Sequence, residues 1–180
     1  PRTGWPAQWR TTRGLLPGFA AALAIGFELS WLGLVLLLVS RLCDGLDGAV
    51  ARIQGKSDFG GYIDIVFDFI FYGIIPLAFI IANPAANAVA GGVLIFSFYG
   101  NGASFLAFAI MAEKHGLRTK QRGEKSIFFT TGLAEATETI GVFVAFCLFP
   151  SYFAPIAYVF AAVCFYTTAI RIWQARQMLT

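Results

Sequence analysis

Four aspartates are the residues best placed to do chemistry. Asp44 and Asp47 stand three residues apart and Asp64 and Asp68 four apart, each pair inside an otherwise apolar stretch. On a helix, either spacing puts both carboxylates on one face. An ionised side chain at the centre of a membrane helix costs roughly 2.5–3.5 kcal/mol on insertion scales, so four of them demand compensation. Hard carboxylate oxygens suit Mg²⁺ or Mn²⁺ rather than zinc. Two such ions, roughly 3.5–4 Å apart, balance four carboxylates and can clamp a pyrophosphate.

The residues between the aspartates refine that chemistry. Gly48 and Ala51 continue the face that carries Asp44, which lets a bulky ligand approach the helix backbone. Arg52 stands one turn beyond Gly48, in position to meet a phosphate. Ser57 and Gly60, in the turn that follows, offer a hydroxyl and a bare backbone. Each has a plainer reading: Gly48 and Ala51 as close helix packing, Arg52 as a marker of topology. Set among four aspartates in this register, the functional reading prevails.

The elements that position these residues must be membrane helices. Of 180 residues, 58% are hydrophobic and 13% charged, with a mean hydropathy of +0.71. That is too little polar surface for a soluble domain of this size. The three cysteines, Cys43, Cys147 and Cys164, lack CxxC spacing, and there is a single histidine, His115. Neither a disulfide framework nor a zinc site is expected. Apolar runs of about 20 residues, the length that crosses a bilayer, lie near 13–28, 30–53, 58–82, 86–112, 127–149 and 152–174. The first is the weakest, interrupted by Arg13 and Pro17. Asn83-Pro84 and Pro150-Ser151 read as breaks between spans. The chain opens on Pro, so the expectation is one domain over 1–180 with an incomplete N-terminus and no visible signal peptide.

With six spans, all thirteen Lys and Arg fall on one side together with both termini, while the opposite connections carry only Glu28. The positive-inside rule assigns the basic side to the cytoplasm, and basic residues there sit well against anionic headgroups. The expected fold class is therefore all-α, a polytopic membrane protein with six transmembrane helices. The aspartates lie toward the cytoplasmic ends of the second and third.

The pattern D-x-x-D-G-x-x-A-R, a seven-residue gap and G-x-x-x-D-x-x-x-D resembles the signature of the CDP-alcohol phosphotransferase (CDP-alcohol phosphatidyltransferase) family. Asp44, Asp47, Gly48, Ala51, Arg52, Gly60, Asp64 and Asp68 match it without substitution over 25 residues. The stretch Gly132–Ile140 is similar to a small bacterial inner-membrane branch of that family, which implies no particular acceptor alcohol. The resemblance implies two metal ions, Mg²⁺ or Mn²⁺, with Asp44 and Asp64 bridging both, Asp47 completing the first and Asp68 serving the second. It implies that Asp68 takes the proton of the acceptor hydroxyl and that Gly48, Ala51, Arg52, Ser57 and Gly60 line the CDP site. The implied reaction displaces CMP from a CDP-alcohol, most often CDP-diacylglycerol, in phospholipid biosynthesis. A homodimer in the inner membrane, surrounded by lipid and without a nucleic-acid partner, is the expected setting. One stretch departs from the family: a P-N-x-x-T segment usually precedes the first span, whereas Pro6 to Thr11 has an extra residue and no Asn. Thr11, Gly14 and Gly18 still correspond, but Arg13 replaces an apolar residue.

Other polar residues in the spans divide. Glu135 and Glu138, beside Thr131, Thr137 and Thr139, read either as an acceptor pocket for a polyol or cationic headgroup, or as partners of Arg41, a threonine or the backbone. Lys114, Arg118, Lys120, Arg122 and Lys125 favour a phosphorylated acceptor instead, or only set topology. Asn101, Ser104, Tyr62, Tyr72 and Tyr166 line a cavity or satisfy interhelical hydrogen bonds, the commoner use. Trp31 and Trp173 read as interface anchors, and His115 as solvated. The competing function is a cation or proton transporter with the acids as its pathway. That reading expects acids near the midplane and internal repeats, and gives no reason for Gly48, Ala51 and Arg52.

Overall fold

A computed structural model describes residues 8–54, 58–115, 134 and 136–179; the side chains of 8–15, 47–48 and 50–54 lie outside that description. Its six α-helices are α1 (Gln8–Gly26), α2 (Ser30–Gln54), α3 (Asp58–Ala82), α4 (Pro84–Lys114), α5 (Ala136–Leu148) and α6 (Phe153–Leu179). No strand occurs among the described residues, so the all-α expectation holds. By length and composition α3, α4 and the stretch Pro150–Leu179 are long and apolar enough to cross a bilayer. The apolar parts of α1, from Leu16 to Gly26, and of α5 are shorter. In α2 the charges of Arg41, Asp44, Asp47 and Arg52 interrupt a mostly apolar helix.

The breaks are made by local chemistry. Asn83 caps α4, its Oδ1 accepting from the Ala86 N–H at 3.2 Å, and Pro84 takes the first helical position, where its missing N–H costs nothing. Asn87, one turn on, donates from Nδ2 to the Phe79 carbonyl at 2.9 Å and so ties the end of α3 to the start of α4. Pro150 opens a single 3-10 turn, Pro150–Tyr152, before α6. Pro17 does not interrupt α1, which runs through it. A proline removes one backbone hydrogen bond, and the neighbouring turns, packed on α2 and α3, carry the helix past the gap.

The core is aromatic. Phe79 of α3, Phe146 of α5 and Phe153 of α6 are buried and in mutual contact, with ring centroids 4.6–5.6 Å apart. Phe71 continues the column through Phe143 at 5.9 Å. Such pairs are worth about 0.5–1.5 kcal/mol beyond their buried area. Bilayer lipid supplies no hydrophobic drive between helices, so shape-specific ring packing matters more here than in a soluble core. The outward faces carry Leu16, Phe27, Val89, Phe96 and Tyr99, all strongly exposed, as a surface solvated by lipid would. Cys147 and Cys164 are buried in apolar surroundings, behaving as small hydrophobes.

Candidate active site

Three residues, 55–57, separate α2 from α3. Asp44 lies ten residues before the end of α2 at Gln54, and Asp68 ten after the start of α3 at Asp58. At 1.5 Å per residue both are roughly 15 Å from the connection, so the two carboxylates stand level on different helices. Asp47 and Asp64 lie nearer the connection, as an outer pair. Helix α1 packs against both α2 and α3. It seats closely because Gly18 faces Phe71 and Ser40, where a β-carbon would stand 3.0 Å from the ring and 3.2 Å from the hydroxyl.

What joins the two helices at this level is Arg41, one turn before Asp44. Its Nη1 donates to Asp68 Oδ1 at 3.1 Å and stands 3.7 Å from Asp44 Oδ2. Its Nη2 donates to Ser40 Oγ at 3.4 Å, and its guanidinium carbon lies 3.9 Å from the centroid of the Phe71 ring. The Arg41 side chain is only 19% exposed, whereas Asp44 and Asp68 keep 39% and 35% of their surface. A cation thus sits at the back of the site and the carboxylates open outward. The sequence had offered Arg41 as a partner for Glu135 or Glu138; among the described residues it is bound to the aspartates, and Glu135 lies outside them. Asp64 is exposed, Gly60 half-buried, and Tyr72 lies within electrostatic reach of Asp44, Asp64, Asp68 and Arg41.

The remaining site residues divide by what is described. Asp47, Gly48, Ala51 and Arg52 are on α2, with only their backbone described, and Thr11 is likewise on α1. Ser57, Arg118, Arg122, Lys125 and Glu135 lie outside the described residues. Glu138 is exposed in the first turn of α5. No three His, Cys, Asp or Glu side chains gather into a metal cage among the described residues, a set that leaves out the Asp47 carboxylate. The donor set nonetheless fits a hard divalent cation: Asp44 and Asp68 already share one positive group from opposite helices, and carboxylate oxygens are the ligands Mg²⁺ and Mn²⁺ take.

A second polar cluster ties three other elements. Arg171 of α6 brings Nη1 to Asn101 Oδ1 at 2.8 Å, the Asn101 carbonyl at 2.9 Å and Ser104 Oγ at 2.7 Å. Asn101 Nδ2 donates to the Ala134 carbonyl, just before α5, at 3.2 Å. Asn101 and Ser104 therefore serve interhelical bonding. Arg41 and Arg171, both read from sequence as topology markers, are structural centres. For Arg41 the signal was its i, i+3 spacing to Asp44.

The family model for CDP-alcohol phosphatidyltransferases matches residues 10–173. The chain belongs to the CDP-alcohol phosphatidyltransferase family. It is accordingly a phosphotransferase that moves a phosphatidyl group from a CDP-alcohol, and transport finds no support. The family generally uses divalent metal ions. The chain is also similar to the inner membrane protein YnjF of Escherichia coli strain K12, 49% identical over 151 residues, which cover 84% of this chain and 72% of that one. No solved structure matches.

Proposed function

We propose that this CDP-alcohol phosphatidyltransferase uses CDP-diacylglycerol as donor, at the cytoplasmic face of an inner membrane, with Asp44, Asp47, Asp64 and Asp68 holding two divalent cations. The observation that carries the reading is the single cationic group shared by Asp44 and Asp68 across α2 and α3, inside an unbroken motif. Gly48, Ala51, Arg52, Ser57 and Gly60 receive the CDP moiety, the small residues admitting it to the backbone and Arg52 meeting a phosphate. When bound, Mg²⁺ or Mn²⁺ offsets the charge that develops on the pyrophosphate and on the departing CMP. The acceptor oxygen forms a bond to the β-phosphorus as the bond from that phosphorus to the bridging oxygen breaks, and CMP leaves with the electron pair. Asp68 receives the acceptor's proton. A carboxylate this polarised is a weak base, so proton transfer comes late, after the oxygen–phosphorus bond is largely made.

The acceptor is a hydroxyl compound whose class Glu135 and Glu138 pull toward a polyol or cation, and Arg118, Arg122 and Lys125 toward a phosphate. A homodimer is part of the same proposal. The test is CMP release from labelled CDP-diacylglycerol with Mg²⁺ or Mn²⁺ and a panel of acceptors that includes a membrane lipid extract. Asp68→Asn should lower kcat by roughly 10²–10⁴, the usual weight of a general base, with donor binding retained. CMP release that Asp68→Asn leaves intact, or none from any acceptor with the unmodified chain, defeats the proposal.

A further inference from the structure

Arg41 stands outside the family motif, yet it makes the described link between Asp44 and Asp68. Three features set it apart from an ordinary structural ion pair. It occupies the place of positive charge between two carboxylates from different helices, with Nη1 3.1 Å from one and 3.7 Å from the other. Its far side already rests on groups that do not depend on the aspartates: the Phe71 face at 3.9 Å and Ser40 Oγ at 3.4 Å. And its Nε is buried with no hydrogen-bond partner among the described residues. Among the described residues the guanidinium is therefore held chiefly by the two carboxylates and Ser40.

We propose that Arg41 is the resident counter-ion of the aspartate site, holding Asp44 and Asp68 in place until a divalent cation takes them over. The inference rests on the reading of the four aspartates as metal ligands. Four carboxylates on the C-terminal half of α2 and the N-terminal half of α3 repel one another, a force that drives the two helices apart. Arg41 offsets that repulsion and keeps the two level aspartates within reach of one positive charge. A dication drawn to Asp68 Oδ1 competes with the guanidinium for that oxygen and is repelled by its charge, so metal loading weakens the 3.1 Å hydrogen bond while the side chain keeps its seat on Phe71 and Ser40. Arg41 is thus a positioning residue that stabilises the metal-free site and weakens metal binding.

The experiment compares the full chain and its Arg41→Met and Arg41→Lys variants in detergent micelles, reading Mn²⁺ affinity from the EPR signal of free Mn²⁺ and Tm in EDTA and in Mn²⁺. Arg41→Met should bind Mn²⁺ about tenfold more tightly, the change for one charge-assisted hydrogen bond that no longer competes with the metal. Its Tm in EDTA should fall, and Mn²⁺ should raise its Tm by more than it raises that of the unmodified chain. Arg41→Lys keeps the charge without the fork or the flat stacking face, so its affinity should lie between the two; it decides the matter if Arg41→Met does not fold. Mn²⁺ affinity that is unchanged or weaker in the variants overturns the role of Arg41 while leaving the metal reading intact. Saturable Mn²⁺ binding absent from the unmodified chain overturns both.

Discussion

Asp44 and Asp68 share Arg41, yet their proposed duties differ, and the difference is measurable. Asp44 holds metal only, so Asp44→Asn weakens a site that excess metal can refill. Asp68 also takes the acceptor's proton, which no metal concentration restores. We expect the half-saturating Mn²⁺ for CMP release to rise about tenfold or more in Asp44→Asn, with much of the rate recovered at high Mn²⁺. Asp68→Asn should stay slow throughout the titration. Equal rescue of both variants removes the separate role of Asp68. That Asp44 and Asp68 come together from two helices was legible in the sequence, because helical spacing and the cost of burying charge speak through residue type and number alone. Arg41 was not. A basic residue fits the positive-inside pattern wherever its side chain goes, and the bond from Arg41, in the middle of α2, to Asp68 spans 27 positions, a tertiary fact no local pattern carries.

At the scale of elements, the α1–α2 corner shows how little slack the bundle has. Helix α1 ends with the Leu29 N–H bonded to the Ala24 carbonyl and the Glu28 N–H to that of Ile25, both at 2.9 Å, a Schellman arrangement. Its left-handed position is taken by Glu28, at φ 64°, where glycine is usual. Glu28→Gly should therefore stabilise the protein by about 0.5–1 kcal/mol, the relief of that strain less glycine's extra entropy in the unfolded chain. Gly33 sets the opposite limit: a β-carbon there would stand 2.5 Å from Ile25 Cγ1, a buried side chain, and 3.4 Å from the Ala21 carbonyl. Gly33→Ala gains helix propensity but overpacks the corner, for a net loss of about 1–2 kcal/mol. Thermal unfolding in one detergent reads both signs. The ends of α2 and α3 could be placed from sequence to within a residue or so, and at the end of α3 Asn83 and Pro84 punctuate strongly. Pro17 misled because a proline's local penalty says nothing of the packing around it.

Across the whole molecule the two ends of the bundle differ in kind. Phe79, Phe146 and Phe153 close one end beside the Asn83–Pro84 corner and the Pro150–Tyr152 turn, with Glu28 and Gly91 on the same side. The other end gathers Arg41, Asp44, Asp68, Asn101 and Arg171, followed by Lys114 and Arg176 at the tips of α4 and α6. Antiparallel packing of successive helices turns a one-dimensional list of charges into a polar end and an apolar end. On the proposed reading the donor's cytidine and pyrophosphate lie at the basic end and its acyl chains along the exposed apolar flanks. If the basic end is cytoplasmic, its residues and those of the apolar end must face different compartments. Ser151, exposed in the 3-10 turn, and His115, exposed after α4, report on the two ends. In a Cys43→Ala background Cys147 and Cys164 are buried and shielded from reagent. A membrane-impermeant maleimide applied to intact spheroplasts should label Ser151→Cys and reach His115→Cys only after permeabilisation. Labelling of His115→Cys in sealed cells, or of both positions alike, would place the aspartates on the wrong face for a cytoplasmic CDP-alcohol and reverse the orientation argued here.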